Sequence, residues 1–244
     1  GSPYVIADEA TGNIYSTKMV WNGSYLLGTD ALGRDILARL MYGTRVSLVV
    51  AFVAALVNMV IGILYGGIAG YAGGAVDAVI TCISNVFQGL PGTILMIALV
   101  GVMERGAQSI ILALVITSWV GFSRLVRGEV MRVKGEMYIE GMRCLGAGHL
   151  RIILRHVLPN IRTNIIILFT TRVGRVVLSV AGLSYLGLGI QPPTPSFGKM
   201  LSEAQAEILQ AGWYVLVPAA AITLLVMGFN LIGDALQEVT QHGR

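Results

Sequence analysis

The chain has 244 residues, 55 % of them hydrophobic and only 12 % charged, with a mean hydropathy of +0.75 and a formal net charge of +4. A soluble domain carries about 25 % charged residues, so this chain has too little charge to cover a water-facing surface of its size. That excludes an ordinary soluble fold, and two cysteines are too few for a disulfide framework or a Cys-based metal site.

Residues 1–45 are polar and mixed in charge, with four basic and four acidic residues. Gly1-Ser2-Pro3 begins no signal peptide, having neither a basic start nor an apolar stretch after it. The segment reads instead as following a first helix that is missing from the sequence. No Asp, Glu, Lys or Arg occurs in 46–76, 78–103 or 208–233. A helix rises about 1.5 Å per residue and the hydrocarbon core is about 30 Å thick, so each run is long enough to cross it. Five spans are predicted, at 46–70, 78–103, 108–125, from about 161 onward, and at 213–232. In the first, Gly62, Gly66 and Gly70 repeat every fourth residue, a spacing that lets helix backbones approach closely in lipid. In the second, Pro91 within Gln88-Gly-Leu-Pro-Gly92 should kink or break the helix.

Segment 124–162 holds eight of the 17 Lys and Arg residues against three acids, which places it in the cytoplasm by the positive-inside rule. Alternation then puts 1–45, 102–107 and 180–211 outside, and 71–77 and the tail 236–244 inside. Trp119, Trp213 and Tyr214 are candidate interface anchors. The fourth span carries Arg172 and Arg175, and the loop after it reads Gln191-Pro-Pro-Thr-Pro195, followed by an amphipathic stretch over 199–211.

The segment from Lys134 to Asn160 predicts a short helix that Gly146 and Gly148 end, with a second helix starting at Ile152 before Pro159. Met142 and Leu145 lie three apart on one face, which Ile139 extends. Apolar knobs with a basic rim suit either an interfacial helix on anionic lipid or a docking element for a partner protein. The pattern alone leaves both open.

This stretch resembles the coupling motif of binding-protein-dependent importer permeases: E-A-A, three residues, Gly, a spacer, then Leu-Pro. Glu140, Gly141 and Met142 stand at the E-A-A, Gly146 is the motif glycine, and Leu158-Pro159 closes it. Gly141 and Met142 depart from alanine, and His156 stands where an aliphatic residue is usual. Gly28-Thr-Asp-Ala-Leu-Gly-Arg-Asp35 and Leu40-Met-Tyr-Gly-Thr-Arg-Val-Ser-Leu48 resemble the segment entering the second helix of dipeptide/oligopeptide/nickel permeases. Gly182-Leu-Ser-Tyr-Leu-Gly-Leu-Gly189, the proline loop and Phe229-Asn-Leu-Ile-Gly-Asp234 resemble their C-terminal half. The resemblance implies an all-α, six-helix membrane subunit, here with five spans over 46–235. It would be the second, C-type member of a permease pair in the bacterial cytoplasmic membrane. Its implied partners are a homologous permease, two ATP-binding subunits that use ATP and Mg, one of them receiving the helix around Glu140–Gly146 in a groove, and an extracytoplasmic solute-binding protein, with Leu145, Leu158 and Pro159 among the coupling residues. Nucleic acid is not among them.

No G-x-x-x-x-G-K-[ST] loop is present to hold phosphates, so no catalytic residue is expected in this chain. The three histidines have no ligand spacing, and no metal site is expected either. An ionisable residue inside a span marks a pathway or a pair. Arg172 and Arg175 share a helix face. They either snorkel or pair with a partner's acid, or they form a cationic ring favouring anionic cargo. Di- or oligopeptide is the expected cargo and nickel or a metal chelate the alternative. Outside this class, a secondary transporter would need intramembrane acids, and Asp77 and Asp234 sit at span ends.

Overall fold

The computed structural model describes residues 5–7, 14–16, 25–209 and 211–242. The expectations placed on Gly1-Ser2-Pro3, on most of the segment before residue 25 and on the last two residues of the tail lie outside these. Strands β1 (Val5–Ala7) and β2 (Ile14–Ser16) pair antiparallel, Val5 opposite Ser16. All other regular structure among the described residues is helical.

Helix α1 (Ile36–Ala72) starts ten residues before the expected boundary. Asp35 caps it, its carboxylate accepting from the Leu37 N–H at 2.9 Å. At about 1.5 Å per residue α1 is longer than the hydrocarbon is thick, so its first turns, with Arg39 and Arg45, project beyond the apolar run. Helices α2 (Gly74–Gly89) and α3 (Gly92–Val102) form one apolar pair bent by 81° at Leu90-Pro91. Pro91 has no N–H for the preceding helix and so ends it there.

Helix α4 (Ala107–Lys134) runs parallel to α1. Asn58 meets Leu114, Gly62 meets Phe122, and Gly70 meets Arg127 and Val130. A Cβ at Gly62 or Gly66 would overlap Phe122 or the Ser123 carbonyl. The glycine repeat therefore serves backbone approach. Two parallel neighbours require a return between them, and the bent α2–α3 pair supplies it.

Next come α5 (Met137–Cys144), α6 (His149–Ile152), a π-helical turn (Ile153–Val157) and α7 (Leu158–Tyr185). The last three are continuous, so the helix runs through Pro159 rather than starting after it. The wide π turn, in which the Leu158 N–H reaches the Ile153 carbonyl, makes room for a proline ring that an α-helix would exclude. Helix α7 is antiparallel to α1 and α4. Short α8 (Phe197–Gln205) leads to α9 (Gly212–His242), which packs back along α7 at Gly174 and Gly233.

Among the described residues, four helices are thus long and apolar enough to cross a membrane, or five passages if the bent pair is one. One apolar cluster joins Val50, Ala54, Ile110, Leu114, Val177 and Val180; a second, nearer the α5 end, joins Tyr71, Val130, Ile139, Ile152 and Ile161. Trp119 and Tyr214 do not act as lipid-facing anchors. Trp119 is buried against Tyr65 and Phe87, and Tyr214 against Arg39.

Candidate functional site

Helix α5 hangs from the bundle by few contacts. Ile139 is wholly buried in the second cluster, so it faces inward and does not extend an outer apolar face. Arg143 stacks over the Tyr71 ring, 5.6 Å from its centre, and Tyr71 Oη lies 3.0 Å from His149 Nδ1. Lys134 Nζ donates to the Tyr71 carbonyl at 2.6 Å, and Asn160 Nδ2 donates to Tyr138 Oη at 2.8 Å. Tyr71, the last residue but one of α1, thereby links α1, α4, α5 and α6.

The motif residues are displayed outward. Glu140, Gly141 and Gly146 are exposed, Met142 is half-buried, and Leu145 is 88 % exposed. Met137 joins them at 88 % exposure. Leu158 packs against the second cluster, and Pro159 is exposed beside the Asn160–Tyr138 bond. Gly146 has φ +79°, a left-handed conformation that side chains disfavour. Around it Ala147 N–H donates to the Met142 carbonyl at 3.0 Å and Gly146 N–H to the Arg143 carbonyl at 2.9 Å. This is the paired closure of a Schellman cap, which needs a glycine at that position.

Deeper in the bundle, α1, α4 and α7 enclose a cavity of about 200 Å3, lined by Asn58, Ser118, Phe122, Arg172, Arg175 and Ser179 among others. The two arginines are brought together there. The Arg172 guanidinium lies 5.6 Å from the centre of the Phe122 ring and fills the slot left by Gly121, where a Cβ would collide with it. Arg175 is exposed one turn further on. Among the described residues neither forms an ion pair. Arg124, on the open side of α4 one turn below Gly121, donates to Asn85 Oδ1 at 2.7 Å and among the described residues has no acid within ion-pair distance. By contrast Arg127 is held by both carboxylate oxygens of Asp77.

The sequence reading missed Arg124 and Asn58. Arg124 falls in the basic segment, but α4 continues nearly three turns beyond it. Asn58 is the only amide in the charge-free run 46–76, a signal available to inspection. Its side chain is 1 % exposed; Nδ2 donates to the Leu114 carbonyl at 3.3 Å, and Oδ1 has no donor. Leaving such an acceptor unmet costs about 1–3 kcal/mol. Among the described residues no three His, Cys, Asp or Glu converge to hold a metal ion.

A bundle of helices this long and apolar is that of a multi-pass membrane protein. The chain belongs to the family of binding-protein-dependent transport system inner membrane components, whose model matches residues 62–243. It is 41 % identical over 217 residues to the glutathione transport system permease protein GsiD of Pectobacterium atrosepticum, covering 89 % of this chain and 72 % of that one. It is also 41 % identical over 218 residues to the dipeptide transport system permease protein DppC of Bacillus subtilis, covering 89 % and 68 %. Its fold matches the inward-facing MetNI methionine ABC transporter with a TM-score of 0.66 at 20 % identity, over 84 % of this chain and 97 % of that one. An amino acid ABC transporter with histidines matches with a TM-score of 0.65 at 14 % identity, over 83 % and 94 %. The chain is therefore a C-type permease subunit of a bacterial ABC importer, multi-pass in the inner membrane, with ATP hydrolysis in separate subunits.

Proposed function

We propose that this chain forms half of the translocation pathway of a di- or oligopeptide importer. It pairs with a homologous permease, receives cargo from an extracytoplasmic binding protein, and takes its power stroke through α5 from one of two ATP-binding subunits. In this reading its five crossings, the bent α2–α3 pair counting as one, belong to a six-helix subunit. The 134–160 segment then lies in the cytoplasm, where its density of Arg and Lys belongs. Residues 25–45 and loop 180–211 lie outside, and the tail beyond 236 lies inside.

The observation that carries the coupling role is the display of Met137, Glu140 and Leu145 on a capped helix whose opposite side, Ile139, is locked into the bundle. Exposed apolar knobs beside an acid suit a groove in a partner protein. Closure of two ATP-binding subunits would push this helix, and the Tyr71 contacts would pass the push to α1 and α4 as rigid-body rocking. For the cargo, the relatives named above are permeases for glutathione and dipeptide. Cations at Arg124, Arg172 and Arg175 favour anionic groups and repel a bare divalent metal ion.

Cysteine cross-linking tests the docking. In a background with Cys82 and Cys144 changed to serine, Leu145→Cys should cross-link to the ATP-binding subunit in the native complex, in yields that change with nucleotide. A Leu145→Cys thiol that reacts only with reagents added outside the cell would overturn the orientation and the coupling role together.

A further inference from the structure

Asn58 and Arg172 face the same small cavity with opposite hydrogen-bonding needs. Asn58 is buried, its amide nitrogen is committed to Leu114, and its oxygen lacks a donor. The Arg172 guanidinium is fixed by the Phe122 ring and the Gly121 slot, with Arg175 one turn away, and no carboxylate meets either among the described residues. A water occupies about 30 Å3 of liquid volume. The cavity of about 200 Å3 is therefore too large for a single bridging water and has room for the terminal residue of a peptide. It suits the end of one.

We infer that this cavity is a cargo subsite for the C-terminal end of a peptide, with Arg172 and Arg175 binding the carboxylate and Asn58 Oδ1 accepting the amide N–H that precedes it. The inference rests on the peptide-import reading and names the part of the cargo that the permease itself holds. Its chemistry is complementary. A carboxylate accepts the charge-assisted bonds that the guanidinium groups offer, and the adjoining N–H satisfies an acceptor otherwise left unmet. Ser118 and Ser179 complete the polar lining, although Ser179 Oγ already donates to the Arg175 carbonyl at 3.2 Å. The guanidinium is held over an aromatic face, so little ordering remains to be done when cargo arrives.

The test uses the native complex in proteoliposomes with its binding protein, importing trialanine and trialanine amide together. Both peptides carry the N–H, and only the first carries the carboxylate. The ratio of their import cancels differences in assembly between variants. Arg172→Ala should lower that ratio about tenfold, the loss of a hydrogen bond between charged groups. Arg172→Lys should recover much of it. Arg175→Ala, at an exposed position on which no packing depends, should lower it in the same direction. Asn58→Leu should slow both peptides alike.

An unchanged ratio in both Arg172→Ala and Arg175→Ala overturns the subsite and leaves peptide import standing. That is the result expected if the arginines only pair with acids of the partner permease. A wild-type complex that imports neither peptide overturns the peptide reading and the subsite with it.

Discussion

Arg39 is 8 % exposed at the start of α1, and its charge is matched by acids from two distant parts of the chain. Asp30 receives its Nη1, together with the Arg34 Nε at 2.7 Å, and Glu203 of α8 receives its Nη2 at 2.7 Å and the Arg34 Nη2 at 3.0 Å. Tyr214 Oη, at the head of α9, lies 3.3 Å from Nη1. The other Asp30 oxygen accepts the backbone N–H groups of Leu32 and Arg34, both at 2.9 Å, so this one carboxylate both shapes the loop and neutralises the helix entrance. Removing one partner of a buried pair costs about 3–5 kcal/mol, because the remaining charge stays desolvated. Asp30→Asn should therefore destabilise by about 3 kcal/mol. Glu203→Gln should cost less, because that carboxylate is better hydrated. Thermal unfolding of the purified complex in detergent would order the two variants; midpoints equal to that of the wild type in both would show that Arg39 relies on neither acid. Within this segment Asp30 pairs with Arg34 four residues on, whereas Asp35 caps α1 instead. Glu203 was illegible, since 164 residues separate it from Arg39 and no periodicity connects them.

At the scale of elements, adjacent glycines in α1 have opposite surroundings. A Cβ on Gly66 would run into the Ser123 carbonyl of α4, whereas one on Gly67 would meet nothing within 4 Å. Gly66→Ala should lower stability by about 1–3 kcal/mol through overpacking. Gly67→Ala should raise it by up to about 1 kcal/mol through reduced freedom of the unfolded chain. Unfolding midpoints of the two variants that moved in the same direction would refute the α1–α4 contact. Gly141 in α5 is likewise open, with no atom within 4 Å of a Cβ, so Gly141→Ala should increase hydrogen-exchange protection of α5 amides several-fold. Gly146→Ala should do the reverse, because φ +79° strains an alanine.

These contrasts show what the sequence carried. Charge-free runs marked the spans, Pro91 marked the break, and the every-fourth glycine repeat marked a close helix pair. Helix ends were less legible where apolar character and helix length part company, as at Ile36 and Lys134, because polar turns continue beyond the lipid. The π turn at Ile153–Val157 left no pattern at all, since it arises from accommodating Pro159 within a helix that packing elsewhere demands. At the candidate site, Arg172 and Arg175 were legible as one face, while their shared cavity with Asn58 needed three helices in register.

For the molecule as a whole, the parallel pair α1 and α4, with α7 antiparallel to both and α9 packed back along α7, makes a bundle whose two ends differ in kind. One end is tied by the Arg39 ion pairs with Asp30 and with Glu203 of α8, and by its hydrogen bond to Tyr214 of α9. The other is tied to α5 through Ile139 and the contacts around Tyr71. Only 11 % of the apolar window of α9 is buried, so most of its surface is left for lipid or a second permease.

In the proposed coupling a push on α5 would reach the spans by the second tie, where the Ile139 contact is apolar and non-directional. The Tyr71 contacts are directional: an aromatic face for Arg143 and a hydroxyl for His149. Tyr71→Leu keeps the apolar volume near the core and removes both. In the reconstituted complex that variant should still bind its ATP-binding subunits, since Met137, Glu140 and Leu145 remain displayed. The ratio of cargo imported to ATP hydrolysed should fall by about tenfold, the effect of roughly 1.4 kcal/mol on the coupling between the two steps. Tyr71→Phe retains the aromatic face alone and should fall in between. If Tyr71→Leu imported and hydrolysed in the wild-type ratio, the stroke would have to travel through Ile139 or directly into α7, and the hinge assigned to Tyr71 would be wrong.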